Sequence, residues 1–219
     1  LAPTNLDIRN TAGSAIDQVL IGNVYEGLVA RDEHNQVVPA IAKAWDVSDD
    51  GTTYTFHLND GMTFSNGDKL DADDVAWSIN GLVTKQYHDA DSLVNFVSVK
   101  ASDPNTVELK LSAPYANLLW VLTGRPGLVF DKDAKYDAKT QAIGSGPYTV
   151  EKFVTNSSIT LKANPNYWGA NKAKTDTVVV RYFTDDNAAV NALKSGDVQV
   201  LAPISENLAE PFTKDSDHY

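Results

Sequence analysis

The sequence predicts a mixed α/β protein, because strand patterns and helical patterns both recur along its 219 residues. Residues 53–58 alternate polar and apolar side chains directly after Gly51, as expected of a strand that leaves a tight turn. Apolar residues at 75, 79, 82 and 83 follow Asp71 at helical spacing. Residues 178–201 show a strand pattern, a helical pattern and a second strand pattern, which predicts a crossover with parallel pairing.

The first helix is expected at Ser14, whose hydroxyl is suited to capping a helix N-terminus. Apolar residues at 16, 19, 20 and 24 continue this helix, and Gly27 is expected to end it. A hairpin follows, with its turn at residues 49–51. Its second strand carries one apolar face, so four side chains are expected to be buried: Trp45, Tyr54, Phe56 and Leu58.

Asp71 is expected to cap the helix that covers about residues 72–83. Residues 106–111 alternate cleanly and predict a strand. Pro114 precedes a helix predicted over residues 115–122, and residues 128–130 are interpreted as a short buried strand.

Beyond Gly146-Pro147, residues 148–153 and 158–163 predict a hairpin, and residues 178–183 predict a third strand. Asp185 or Asp186 is expected to cap a helix that ends at Gly196. Residues 198–201 are predicted to return as the parallel strand.

Composition excludes several classes of function. A net charge of −11 argues against nucleic-acid binding, which needs clustered Lys and Arg. The chain has no cysteine, so disulfides and thiolate metal sites are excluded. No apolar run approaches the roughly 20 residues of a membrane-spanning helix, and residues 1–4 do not resemble a signal peptide.

Candidate catalytic and metal-binding patterns are weak. The four histidines are scattered, and no Gly-x-Ser-x-Gly nucleophile motif is present. Asp71, Asp73 and Asp74 fit the first turn of a helix better than a calcium loop. Trp77 and Trp120, at helical spacing, are interpreted as core residues. We therefore expect no enzymatic activity, no cofactor and no metal. An enzyme that uses clustered carboxylates is the least favoured alternative.

Five segments resemble, in order, motifs of the peptide/nickel class of extracytoplasmic solute-binding proteins, which serve ABC importers. Residues 24–29 (VYEGLV) match the family's YEGL segment, and residues 144–148 (GSGPY) match its GTGPY turn. The other three matches are residues 39–56, 164–169 (NPNYWG) and 193–198 (LKSGDV). Ile8, Asn59 and Gln199 depart from the family's usual residues.

The resemblance implies a periplasmic-binding-protein-like lobe formed by residues 1–41 and 144–219, with a smaller α+β domain inserted over residues 42–143. It also implies that the chain is a fragment lacking the third, opposing lobe. The expected function is reception of a small solute, most often a peptide, for an ABC permease. We expect a monomer outside the cytoplasm, held at the membrane only by a lipid anchor or the permease. The alternative is a sensory or adhesive surface lipoprotein on the same scaffold.

Two segments are candidate ligand-binding sites. In the resembled family the loop matching Asn10, Thr11, Ala12, Gly13 and Ser14 faces the ligand, and Gly13 would allow close backbone approach. The alternative is a plain capping loop. Arg125, between Gly124 and Pro126, is predicted to bind a ligand carboxylate, because guanidinium grips carboxylates bidentately. The alternative is an arginine in a surface salt bridge.

Overall fold

A computed structural model describes residues 2–201 of the chain. Its elements comprise four helices and nine strands in this part of the chain, with short 3₁₀ turns at Ala90–Ser92 and Arg125–Gly127. The helices are α1 (Ser14–Leu20), α2 (Ala72–Thr84), α3 (Leu118–Val121) and α4 (Asp186–Lys194). The strands are β1 (Val29–Arg31), β2 (Val37–Pro39), β3 (Ala42–Val47), β4 (Thr53–Leu58), β5 (Phe96–Asp103), β6 (Thr106–Leu111), β7 (Tyr148–Val154), β8 (Ser158–Ala163) and β9 (Thr177–Arg181). The mixed α/β class predicted from the sequence is confirmed.

The larger sheet is antiparallel, with strand order β3-β4-β6-β5. On its central strand β4, Tyr54, Phe56 and Leu58 are buried as the alternation predicts, while Trp45 on β3 is only partly buried. The sheet packs against α2, which buries its own apolar stripe at positions 75, 79 and 82. This first core also includes residues 28–29, 41–42 and 129.

Helix α2 begins as the sequence predicts. The side chain of Asp71 accepts a hydrogen bond from the Asp73 N–H, and the side chain of Asp74 accepts one from the Asp71 N–H. This reciprocal arrangement satisfies two N–H groups that the first turn of a helix leaves without intrahelical partners. The three acidic residues at 71–74 therefore serve the helix terminus, as expected.

The smaller sheet is antiparallel, with order β7-β8-β9, and covers a second core. Leu6, Ile16 and Tyr25 from the N-terminal segment pack there against Ile159 and Leu161 of β8. The turn at residues 144–146 lies against the backbone of residues 23–24. A Cβ added to Gly144 would be 1.9 Å from the Val24 carbonyl oxygen, so this contact requires glycine.

Several element ends differ from the prediction. Helix α1 ends at Leu20 rather than Gly27, because Ile21 is already extended and Gly22 has φ +75°. Ser14 is the first helical residue and Gly13 occupies the cap position, without a side-chain hydrogen bond. The helix predicted over residues 115–122 is shortened to α3. Residues 128–130 are buried but form only an isolated bridge between Leu128 and Gly27.

The predicted return strand at residues 198–201 is absent, and all pairing in the smaller sheet is antiparallel within residues 2–201. The Val198 N–H donates to the Ala192 carbonyl of α4, so the chain folds back on the helix instead of joining a sheet edge. A strand needs a neighbour to satisfy its backbone groups, and β-branched composition alone does not supply one. The predicted parallel crossover is therefore wrong for this part of the chain.

Each of the two cores contains residues from both sides of the predicted domain boundaries. Leu28 and Ile41, placed by the sequence in the first lobe, pack in the first core with residues of the insertion. Leu128 and Phe130, placed in the insertion, pack in the second core. The domain boundaries themselves stay a prediction. Within residues 2–201 no helix has the length and apolar character needed to cross a membrane.

Candidate functional site

The structure brings the two predicted ligand-binding segments together, although more than 100 positions separate them in the sequence. Arg125 lies under the loop of residues 10–14. Its Nη1 donates to the carbonyl oxygens of Ile8 at 2.6 Å and Thr11 at 2.7 Å, and its Nη2 lies 3.4 Å from the Gly13 carbonyl oxygen. We call residues 10–14 together with Arg125 the Arg125 loop site.

The guanidinium of Arg125 is almost completely buried, with 4% of its side chain exposed. Its Nε donates to the Asp17 carboxylate at 2.7 Å, and the Asp89 carboxylate lies 3.9 Å away. Four of the five guanidinium N–H groups can be assigned to protein acceptors by these contacts. The geometry therefore gives Arg125 a role in holding the loop, and its direct contact with a ligand carboxylate stays a prediction.

Side chains at the start of the loop fix it from the other end. The Asp7 carboxylate accepts hydrogen bonds from the Asn10 side chain at 2.8 Å and from the Arg9 N–H at 3.2 Å. The Thr11 hydroxyl donates to the Asn5 side-chain oxygen at 2.7 Å. Of the loop residues, Asn10 and residues 12–14 are exposed, whereas Thr11 is partly buried.

Gly13 is the one residue of the loop whose backbone requires glycine. Its φ of +127° lies in a region that other residues rarely adopt. A Cβ added there would meet no atom within 4 Å, so the constraint is conformational and the space in front of the loop is open. The predicted close approach of a ligand backbone to this loop stays a prediction.

Two depressions flank the Arg125 loop site. A cavity of about 330 Å³ is lined by residues 2–4 and 11–16. A shallower one of about 240 Å³ is lined by Arg31, Asp89, Trp120 and Arg125 with their neighbours. In it the Arg31 guanidinium carbon stacks 4.6 Å from the Trp120 ring centre. Both depressions are at or near the lower limit of ligand pockets, so each fits part of a small solute.

The interpretation of Trp77 and Trp120 as core residues is wrong, since they are 38% and 44% exposed. The helical period could have predicted the exposure of Trp120. Leu118 and Leu122 are four positions apart and both buried, and Trp120 lies midway between them on the opposite face of the helix. Asp17, the ionic partner of Arg125, carries no sequence signal of that role.

Two carboxyl groups have raised pKa values, and they lie in separate parts of the fold. Burial raises the pKa of Glu26 to about 7, opposed by the hydrogen bond from Tyr167. Burial also raises the pKa of Asp74, which caps α2. Among residues 2–201 no group of three or more potential metal-binding side chains is found. Neither carboxyl group belongs to the Arg125 loop site.

Comparisons with known proteins identify the family of this chain. The family model described as "Bacterial extracellular solute-binding proteins, family 5 Middle" matches residues 36–218. Protein XP55 of Streptomyces lividans is 36% identical over 200 residues, which cover 88% of this chain and 36% of that protein. Di/tripeptide-binding protein 4 of Pseudomonas aeruginosa is 28% identical over 239 residues, covering 94% of this chain and 44% of that protein.

The structure of NikZ from Campylobacter jejuni in complex with Ni(L-His) superposes with a TM-score of 0.85 at 26% identity. The match covers 96% of this chain and 43% of the NikZ chain. This chain thus spans less than half the length of each of these relatives. Because the family model covers most of the chain, the chain belongs to the bacterial extracellular solute-binding proteins of family 5.

Proposed function

We propose that the protein containing this chain binds a small peptide outside the cytoplasm and delivers it to an ABC import permease. Membership of family 5 supports the receptor role, and a relative named as a di/tripeptide-binding protein supports the class of solute. In this proposal residues 1–41 with 144–219 form one lobe, and residues 42–143 form an inserted domain. A third lobe closes over the ligand by hinge motion.

The observation that carries the proposal is the exposed loop of residues 12–14, which hydrogen bonds from Arg125 hold in place. The buried Arg125 guanidinium holds the carbonyl groups of Thr11 and Gly13 from below, and the cavity of about 330 Å³ lies beside the loop. Receptors for varied peptides bind the ligand backbone with their own backbone, because backbone groups do not depend on ligand side chains. A loop held in one geometry also reduces the entropy lost on binding.

The proposal also covers the role of Arg125, for which two mechanisms make different predictions. A direct anchor would bind the C-terminal carboxylate of a peptide. A positioning residue would instead hold the loop for any ligand that the loop contacts. The 4% exposure of the side chain and its hydrogen bonds to Ile8, Thr11 and Gly13 support the positioning role.

The test uses the full-length receptor. Mass spectrometry of the purified protein first identifies the peptide that it carries, and calorimetry then measures affinity for that peptide and for its C-terminal amide. We expect Arg125→Ala to weaken binding of both forms to the same extent, because a positioning residue acts through the loop and not through the ligand carboxylate. A loss confined to the free acid would instead assign the direct anchor.

Arg181→Ala is the matched control, because Arg181 lies on an exposed position of β9 away from the loop. Its affinity for the peptide should equal that of the wild type. Unaltered affinity in Arg125→Ala would remove Arg125 from the site. A receptor that carries and binds no peptide would overturn the proposed function.

A further inference from the structure

A groove along α2 shares no lining residue with the two depressions of the Arg125 loop site. It has a volume of about 340 Å³. Its lining consists of Arg9, Trp77, Ser78, Asn80, Gly81, Thr84, Lys85, Tyr87 and Phe130. We call this feature the α2 groove. Its volume is at the lower limit of ligand pockets and suits a molecule of one or two rings.

The α2 groove concentrates positive charge in an acidic protein. The chain carries 29 acidic and 18 basic residues, yet the lining includes two cations and no carboxylate. The acidic neighbour of Arg9 is Asp7, 3.6 Å from the guanidinium and outside the lining. Because Asp7 offsets part of the Arg9 charge, the attraction of this groove for an anion comes mainly from Lys85.

Both cations lie over aromatic rings. The Arg9 guanidinium carbon is 5.1 Å from the Phe130 ring centre and 5.5 Å from that of Tyr87. The Lys85 ammonium is 5.6 Å from the Trp77 ring centre and 5.8 Å from that of Tyr87. Cation–π contacts of this length orient the charged groups beside flat apolar surfaces. Trp77 is 38% exposed, so part of its ring is available for stacking.

Three neutral polar side chains of the groove, Ser78, Asn80 and Thr84, already have protein partners. The Ser78 hydroxyl accepts from the Phe130 N–H at 2.9 Å. The Asn80 side chain bonds both backbone groups of Val99, and the Thr84 hydroxyl donates to the Asn80 carbonyl. A ligand would therefore be recognised mainly by the cations and ring faces, with the Trp77 indole N–H and the Tyr87 hydroxyl as the remaining neutral polar groups of the lining.

From these features we infer that the α2 groove binds a small aromatic carboxylate. Its carboxylate pairs with Lys85 and Arg9 through charge-assisted hydrogen bonds. Its ring stacks on the exposed face of Trp77 in an offset arrangement. This site is separate from the peptide cleft proposed above and does not depend on it.

The probe is indole-3-acetate, titrated into the full-length protein and followed by NMR chemical shifts. We expect saturable binding with a Kd of about 1 mM or tighter. Indole-3-acetamide keeps the ring without the charge, and acetate keeps the charge without the ring. Both should bind several-fold more weakly, because each lacks one half of the recognition.

Two variants and two matched controls locate the site. Trp77→Leu and Lys85→Gln should each weaken binding of indole-3-acetate by at least about threefold, the range of an exposed cation–π contact. Trp120→Leu and Lys100→Gln remove an equally exposed tryptophan and lysine elsewhere, and should leave the affinity unchanged. All four side chains are exposed, so folding should be preserved, and circular dichroism verifies this.

Absence of saturable binding at about 10 mM would overturn the inference. Equal binding of indole-3-acetamide would also overturn it, because the cations would then have no part. An equal loss in Trp120→Leu would place the probe at the Arg125 loop site instead. None of these outcomes bears on peptide binding, which is measured separately.

Discussion

Glu26 lies where the two cores meet, between Tyr25 of the second core and Leu28 of the first. Its Oε1 accepts a hydrogen bond of 2.5 Å from the Tyr167 hydroxyl. Its Oε2 is buried and has no hydrogen-bond partner among the described residues. A carboxylate in this position is poorly solvated, so its protonated form is favoured in the folded protein.

The magnitude of this effect follows from the pKa of Glu26. Burial raises the pKa from 4.5 to about 7, against the opposing hydrogen bond from Tyr167. Each pKa unit corresponds to about 1.4 kcal/mol, so full ionisation costs the folded state about 3 kcal/mol. The folded pKa is above the unfolded one. The stabilising contribution is therefore complete below about pH 4.5 and is lost as the pH rises through about 7.

The perturbation is Glu26→Gln, which keeps an acceptor for Tyr167 and removes the ionisation. Free energies of unfolding are measured by urea denaturation of wild type and variant at intervals from pH 5 to pH 8. We expect the variant to gain about 2–3 kcal/mol relative to wild type over this range, with most of the gain below pH 7. Other titrating groups are common to both proteins and cancel in the difference.

Tyr167→Phe is the control, because it keeps the carboxyl group and removes the hydrogen bond that lowers its pKa. Its stability should remain pH-dependent, with the midpoint displaced to higher pH. A constant difference between wild type and Glu26→Gln from pH 5 to pH 8 would refute the reasoning. Glu26 would then ionise at its ordinary pKa despite its burial.

The remaining predictions concern packing and are measured by urea denaturation. Phe56→Ala should cost about 3–5 kcal/mol, because Phe56 is fully buried, whereas Val97→Ala at a position 52% exposed should cost well under 1 kcal/mol. Gly144→Ala should destabilise by about 1–3 kcal/mol, because its Cβ would collide with the Val24 carbonyl oxygen. Gly81→Ala should instead stabilise by about 0.5–1 kcal/mol, because Gly81 lies within α2 with open space around its Cα. A stable Gly144→Ala protein would contradict the close backbone contact.

The sequence predicted elements whose signal is local. Strand β6 has the predicted bounds, and β8 follows the predicted hairpin, because alternation with a period of two is visible within six residues. The caps of α2 and α4 were also predicted, since Asp71 and Asp185 each bind N–H groups only a few positions away. Strands β1, β2 and β5 were not predicted, and neither was the end of α1. Val24 continues the helical spacing of apolar residues beyond Leu20. It is buried, but it belongs to the loop that follows α1 and not to the helix.

The candidate site depends on tertiary contacts that no local pattern contains. The sequence identified the loop of residues 10–14 and Arg125 as separate candidates, through a family resemblance and a residue type. Their association rests on backbone carbonyl groups, which carry no residue-specific signal. Asp17 of α1 lies 108 positions from Arg125 in the sequence. Its carboxylate completes the arrangement by accepting a hydrogen bond from the guanidinium. A buried arginine between Gly and Pro is indistinguishable in sequence from an exposed one.

The position of Arg125 couples the loop to the packing of the two cores. Arg125 belongs to a segment with Leu122 and Val129 in the first core and Leu128 in the second, whereas the carbonyl groups it holds belong to Ile8 of the second core and to the loop that follows. These hydrogen bonds therefore tie the geometry of the loop to the contact between the two cores. By linkage, a solute that binds the ordered loop must also stabilise that contact, to an extent set by its concentration relative to its Kd. The same hydrogen bonds thus make the contact between the cores and the order of the proposed binding loop parts of one equilibrium.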